Sequence, residues 1–162
     1  MIAIREGTKY DIPALYALYA QIGKKDDGYF EHAFEAGAVP VLAHEGEALC
    51  GFGLLNWSPR YSLYKRLGIP ELQDLNVIAE RRRQGIAQKI ITYCEDVARA
   101  RGCEMMGLAV GLTKDYGPAQ ILYAKLGYIP DGNGVTYDRE GVRSNATYPL
   151  DDDLALMLVK TL

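Results

Sequence analysis

The stretch Arg82-Arg83-Gln84-Gly85-Ile86-Ala87, set between a strand-like run at Leu72 to Ile78 and a helix-like run at Gln88 to Ala100, decides how this sequence is read. A helix entered through such a junction presents backbone N–H groups that lack an intrahelical acceptor and carry the positive end of the macrodipole, so a bound anion satisfies both. Gly85 and Ala87 keep bulk away from those groups. The consecutive arginines Arg81 to Arg83 oppose the dipole of the helix they precede, a placement that becomes favourable beside a polyanion. The stretch reads as a pyrophosphate cradle.

Its surroundings narrow the reading. Upstream lies Leu75-Asn76-Val77-Ile78-Ala79-Glu80, and downstream Ala119-Gln120-Ile121-Leu122-Tyr123-Ala124-Lys125-Leu126-Gly127-Tyr128. Together these segments resemble the Gcn5-related N-acetyltransferases (GNAT), whose signature Gln/Arg-x-x-Gly-x-Gly/Ala follows a "Leu-x-Val-x-Pro-Glu" lead-in and precedes "Ala-x-x-Leu-Tyr-x-Lys-Leu-Gly-Phe/Tyr". Ala79 stands where a proline is common. Three matching segments in order are far more specific than any one of them.

At 162 residues the length corresponds to one domain, and a hydrophobic share of 49% fills one core, so a single N-acetyltransferase domain over 1–162 is expected. With 18 Lys+Arg against 21 Asp+Glu the net charge is −3, which gives no global field toward nucleic acid or anionic lipid. Neither is expected as a partner. Cys50, Cys94 and Cys103 are odd in number, lack metal-ligand spacing and sit in apolar stretches, so free thiols and no structural zinc are expected. The N-terminus is charged within its first six residues and no apolar run reaches the length of a membrane span, giving a cytoplasmic expectation. A homodimer is left open.

Periodicity and stop signals divide the chain. Ile2 to Arg5 reads as a strand and Tyr10 to Gln21 as a helix, with Asp11 as cap, Pro13 in its first turn and Gly23 as terminator. Gly28 to Ala36 is a second helix. Val39 to His44 and Leu49 to Asn56 flank Glu45-Gly46-Glu47 as a hairpin, and Trp57 to Ile69 reads as a loop with room for one helical turn. Then come the strand at Leu72 to Ile78, the long helix Gly85 to Arg101, a buried strand at Met105 to Val110, and a helix at Gly117 to Leu126 stopped by Gly127. Tyr128 to Pro130 starts another extended run, Asp131-Gly132-Asn133-Gly134 is a turn signal, Val135 to Asp138 is a weak strand, and Leu154 to Lys160 fits strand or helix. Hairpins mixed with crossover units predict an α/β fold with a mixed, mostly antiparallel sheet and helices on both faces. The resemblance implies the same, with strands 4 and 5 splayed so that acyl-coenzyme A enters between them.

The resemblance also assigns roles. Acetyl-CoA is the implied co-substrate, with no metal. The backbone at Leu75, Asn76 and Val77 would pair with pantetheine amides as an added strand, and Arg82, Arg83, Gln84, Gly85, Ile86 and Ala87 would hold the pyrophosphate. Tyr123 takes the place of the tyrosine that protonates the departing thiolate. Glu71 lies eleven positions before Arg82, the spacing of a glutamate base in one branch of the family. Asp74 is a second candidate; strand alternation puts the two acids on opposite faces unless the strand is bulged. Tyr116 stands where an asparagine often bonds the cofactor, so that contact differs here. The amine would sit between the first two helices, the Trp57 to Ile69 loop and the region beyond Tyr128, where Asp26, Asp27, Glu31 and Glu71 could attract a cation. His32 and His44 are isolated, and Ser58 and Ser62 lack His/Asp partners. Direct transfer from acetyl-CoA to a primary amine in a ternary complex is the main expectation. The rivals are an acyl-CoA-binding sensor without catalysis and an enzyme acting on a protein N-terminus or aminoacyl-tRNA.

Overall fold

In the computed structural model, which describes residues 1–162, the chain runs β1 (Ile2–Glu6), α1 (Ile12–Gln21), α2 (Tyr29–Glu35), β2 (Val39–Glu45), β3 (Ala48–Asn56), α3 (Ser62–Leu67) and β4 (Glu71–Val77). It continues through α4 (Ile86–Ala100), β5 (Met105–Gly111), α5 (Gly117–Lys125), β6 (Ile129–Tyr137), β7 (Glu140–Gly141) and β8 (Leu154–Thr161). All strands join one sheet in the order β1-β2-β3-β4-β5-β8-β6-β7, antiparallel except for β4 beside β5. This is the expected mixed sheet.

Side-chain alternation sorts the core between two faces. Val41, Ala43, Leu55, Leu72 and Leu108 pack against Ile86, Ile90 and Cys94 of α4 and Tyr123 of α5. On the other face, Leu42, Phe52 and Leu54 meet Leu15, Leu18 and Tyr19 of α1 and Phe30 of α2. Tyr61, Tyr64, Ile69 and Met157 form a smaller cluster at α3.

β4 and β5 pair only at Glu71↔Gly107 and Leu72↔Leu108, although each strand has seven residues. The cause lies in β4. Phe52 faces Asn76 and Leu54 faces Gln73, so Gly53 alone opposes both Asp74 and Leu75. Two residues against one make a β-bulge, and Asp74 takes φ 48 to form it. A bulge bends and over-twists its strand, which turns the end of β4 away from β5. The splay expected between strands 4 and 5 is therefore present.

Four local readings need correction. Thr8, not Asp11, caps the first turn: its side chain accepts from the Tyr10 N–H, while the Asp11 carboxylate accepts from the Thr8 N–H at 2.8 Å. The Trp57 to Ile69 segment contains α3, whose Tyr64 is fully buried against the sheet. Asp131-Gly132-Asn133-Gly134 is a wide bulge within β6, because Pro130 and Val135 on either side both stay paired with β8. Val135 to Asp138 is not a separate strand; β6 continues to Tyr137, turns through Asp138 and Arg139, and returns as β7. That turn has φ 47 and φ 66 at its central residues, the left-handed geometry of a tight hairpin, without the glycine or asparagine that usually marks it.

Candidate active site

On the α4 face the splay opens a cleft of about 1240 Å³. One wall is Leu75 and Val77 of β4, the end is the turn through Arg82, Arg83 and Gly85 into α4, and the other wall is α5, from Pro118 to Tyr123. Gly85 is the residue before α4, at φ +79, and a Cβ there would meet no protein atom within 4 Å. The backbone conformation, not crowding, demands glycine. The first intrahelical bond runs from the Lys89 N–H to the Gly85 carbonyl at 3.0 Å, so the N–H groups of Ile86, Ala87 and Gln88 have no acceptor within the helix. A diphosphate fits such an end.

The arginines divide their work. Arg81 pairs with Glu45. Arg82 donates from Nε to the Val77 carbonyl at 3.1 Å, which ties the cradle to the splayed strand. Arg83, at φ 58, lines the cleft. Because the Ile78 N–H donates to Cys50 O on β3 at 3.0 Å, alternation turns the Val77 backbone groups to the opposite edge, toward the gap. Sequence reasoning missed Arg81, Gln88 and Lys125, which also line the cleft. Gln84 is turned back onto the Glu80 carbonyl at 3.2 Å, and Asn76 onto Asp74 at 2.7 Å, so neither side chain lies in the cleft.

Tyr123 is nearly buried at the inner end of the cleft. Every fully buried side-chain polar atom in the protein has a hydrogen-bond partner. Its hydroxyl has no protein partner among the side-chain bonds, so it must reach open space, which here is the cleft. Its ring packs edge-on to Tyr128 at 6.3 Å, and Tyr128 is fixed by its hydrogen bond to Glu95 at 2.9 Å, itself paired with Lys160 at 2.9 Å. Burial pushes the Tyr123 phenol up to about 12. It stays protonated.

The two candidate acids sit on the opposite face from that cleft, because the bulge brings Asp74 to the face that carries Glu71. Asp74 accepts from the Tyr19 hydroxyl, from Lys24 Nζ at 3.1 Å and from Asn76 at 2.7 Å. Burial first, and then the hydrogen bond to Asp74, raise the pKa of Tyr19 above that of a free phenol. Tyr29, stacked on Tyr19 at 5.4 Å, is also raised, by burial first and then by the Asp74 charge. Glu71 is fully buried and occupied differently: Arg139 forks onto it, Nη2 at 2.8 Å and Nε at 3.0 Å from Oε1, and Gln73 donates to Oε2 at 2.9 Å. Arg139 comes from the β6–β7 turn, 68 residues away in sequence. No motif marked it.

Tyr116 lies over Gly111 at the end of β5, where any Cβ would come within 2.4 Å of the ring. Its hydroxyl donates to Asp152 at 2.6 Å, away from the donor cleft. Burial chiefly, then the hydrogen bond to Asp152, raises its pKa. Asp26 and Asp27 precede α2 and are exposed, and Glu31 is bonded by the Tyr16 hydroxyl.

Residues 9–128 match the acetyltransferase (GNAT) family model. The chain is 26% identical over 130 residues to an aminoalkylphosphonate N-acetyltransferase from Salmonella typhimurium, covering 77% of this chain and 83% of that one. It is 34% identical over 112 residues to the thialysine N-epsilon-acetyltransferase of Bos taurus, covering 66% of this chain and 64% of the relative. The fold is also that of Arabidopsis thaliana Naa50 in complex with the bisubstrate analogue CoA-Ac-MVNAL, with TM-score 0.70, 17% identity and 99% of each chain covered. With the splayed β4, the open N-terminus of α4 and the matched residues in agreement, the chain belongs to the GNAT family and is an acetyl-CoA-dependent N-acetyltransferase.

Proposed function

We propose that residues 1–162 act as one domain that acetylates a primary amine on a short alkyl stem, within a ternary complex, the amine approaching from the α1/α2 face and acetyl-CoA from the α4 face. The observation that carries this is the bulge at Asp74. It opens the gap between β4 and β5 and aims a carboxylate at the far side of that gap from the cradle. Both curated relatives are named for small amines, which supports a small acceptor over a protein terminus.

An alkylamine with a pKa of about 10.4 is neutral in roughly one molecule in 2,500 at pH 7, so a proton must be accepted before the nitrogen attacks. We assign the holding of the ammonium and the acceptance of that proton to Asp74, directly or through water. Glu71 is less suited to this. Protonating it would strand Arg139 largely buried, at a cost of about 3–5 kcal/mol. Its role is to hold the β6–β7 hairpin against the acceptor face.

The amine nitrogen bonds to the thioester carbonyl carbon, the oxyanion is met by the Val77 N–H, and the C–S bond breaks as the intermediate collapses. Tyr123 donates a hydrogen bond to the leaving sulfur. With the phenol at about 12 and a thiol near 8.5, full proton transfer is uphill by about 5 kcal/mol, so the hydroxyl stabilises the thiolate and the proton that finally neutralises it comes from the amine. The free thiols Cys50, Cys94 and Cys103 support a cytoplasmic setting.

Thiol release from acetyl-CoA, measured against aminoalkylphosphonates, lysine analogues, polyamines and peptides, tests the proposal. Turnover confined to small amines, and reduced about a hundredfold or more by Asp74→Asn, is expected. Unchanged turnover in Asp74→Asn would remove Asp74 from the mechanism, and tight acetyl-CoA binding without turnover on any amine would favour a sensor.

A further inference from the structure

α1 ends at Gln21, Gly23 takes φ +76, and the Lys24 N–H returns to the Tyr19 carbonyl at 2.9 Å. That turn carries the Lys24 side chain across the mouth of the acceptor site. Its Nζ lies 3.1 Å from Asp74 Oδ1 and 5.5 Å from the centroid of the Tyr19 ring. A carboxylate beside an aromatic face is a site for an alkylammonium ion. The ion held there is itself a primary amine on an unbranched stem, a chemical copy of the acceptor proposed above. With 44% of its side chain exposed, Lys24 forms a weak, solvent-screened ion pair, so it leaves and returns readily.

We infer that Lys24 is an acceptor of this chain's own acetyl transfer, modified in cis when acetyl-CoA is bound and no free amine competes. The inference rests on the reading of Asp74 as the acceptor carboxylate. The ammonium gives up a proton toward Asp74 or water, the Nζ lone pair forms the N–C bond to the thioester carbonyl, and the C–S bond breaks. Acetyl-CoA and one lysine ammonium become acetyl-lysine, coenzyme A as free thiol and one released proton. No further reactant is needed. Acetylation removes the charge that binds Asp74 and leaves that carboxylate to a free amine.

A tether of this kind presents Nζ at a local concentration on the order of 1 mM, so at micromolar protein the cis reaction exceeds transfer between molecules by about a thousandfold. Lys25 is the next residue along the chain and Lys9 lies over the Tyr10 ring; neither is paired with a carboxylate, and they serve as internal controls.

The test incubates the purified full chain with acetyl-CoA and no amine, locates acetyl groups by peptide mass spectrometry and follows thiol release. One acetyl group at Lys24 is expected, with matching thiol and a first-order rate constant that holds over about a hundredfold range of protein concentration. Lys24→Arg should abolish it, and Tyr123→Phe should slow it by the factor by which it slows turnover of free amines. Acetyl groups spread evenly over Lys9, Lys24 and Lys25, or a rate constant that rises with protein concentration, overturns the inference. An unmodified Lys24 in a preparation that acetylates free amines overturns it while the acceptor reading survives. An unmodified Lys24 in a preparation that acetylates no amine removes both.

Discussion

Glu71→Gln separates a base from an anchor. The substitution keeps the shape of a fully buried side chain and removes its charge. In the wild type both Oε atoms are engaged, Oε1 by two guanidinium nitrogens of Arg139 at 2.8 and 3.0 Å and Oε2 by Gln73 at 2.9 Å. A glutamine offers one carbonyl and one NH2; Gln73 can turn its amide to accept from that NH2, but the Arg139 fork then faces a neutral carbonyl in place of a carboxylate. Removing one member of a buried pair costs about 3–5 kcal/mol, and the 25% exposure of the Arg139 side chain lets water recover part of it. About 3 kcal/mol remains. At roughly 2–4 °C per kcal/mol for a chain of this size, Tm falls by about 6–12 °C. Calorimetry on Glu71→Gln, Arg139→Met and the double variant should give a coupling energy above about 1.5 kcal/mol. The rate of folded Glu71→Gln, assayed well below its Tm, should fall by less than about tenfold. A loss of 10²–10⁴ in kcat with Tm unmoved is the signature of a removed base, and would refute the anchor reasoning.

Tyr123→Phe should lower kcat by about a hundredfold while acetyl-CoA affinity by calorimetry stays within about threefold, since the hydroxyl acts on charge that develops only as the C–S bond breaks. Because burial holds this phenol at about 12, the wild-type rate should show no alkaline limb from it below about pH 11. Gly85→Ala meets no protein atom, so denaturant melts should record only about 1 kcal/mol of left-handed strain, while the Kd for acetyl-CoA rises at least tenfold; equal losses in both would deny the cradle. Arg5 holds the Asp11 carboxyl at about 2 through its hydrogen bonds, below an ordinary 3.8. That stabilisation is present above about pH 4 and is lost as pH falls through about 2. Arg5→Met should flatten this limb of the stability profile, and since Arg5 is half exposed the change should stay under about 1 kcal/mol.

The segments read best from the sequence are those whose signals are local. The run from Leu72 to Ala100 joins a strand pattern, a glycine at the helix entrance and a helical stripe at Ile86, Ile90, Cys94 and Ala98, and each lies within a few residues of what it controls. Pro118 and Gly127 bracket α5 in the same way. Turn chemistry was less decisive. In Asp131 to Gly134 the Asp131 carboxylate does accept from the Asn133 N–H at 2.9 Å, as in a turn, but β8 pairs with the chain on both sides and makes it a bulge. At Asp138 and Arg139 the reverse holds: a tight hairpin forms without glycine and with an arginine, which disfavours φ > 0, at its second position, Arg139 being held by Glu71 and Asp138 by Arg60 at 2.6 Å. Local strain there is offset by contacts that only the folded chain can make.

By itself the sequence determined the backbone of the proposed donor half: the glycine-entered end of α4 at Arg82 to Ala87, the strand that leads to it and the helix that carries Tyr123. Those features rest on backbone geometry, and glycine placement and periodicity encode backbone geometry over short distances. The arrangement of the proposed acceptor half was decided only by tertiary structure. Whether Glu71 and Asp74 share a face depends on a bulge set by the pairing of β4 with Gly53, and whether Glu71 is free depends on an arginine 68 residues further on. A side chain's chemistry is fixed by its neighbours, and these neighbours meet only when the sheet has closed.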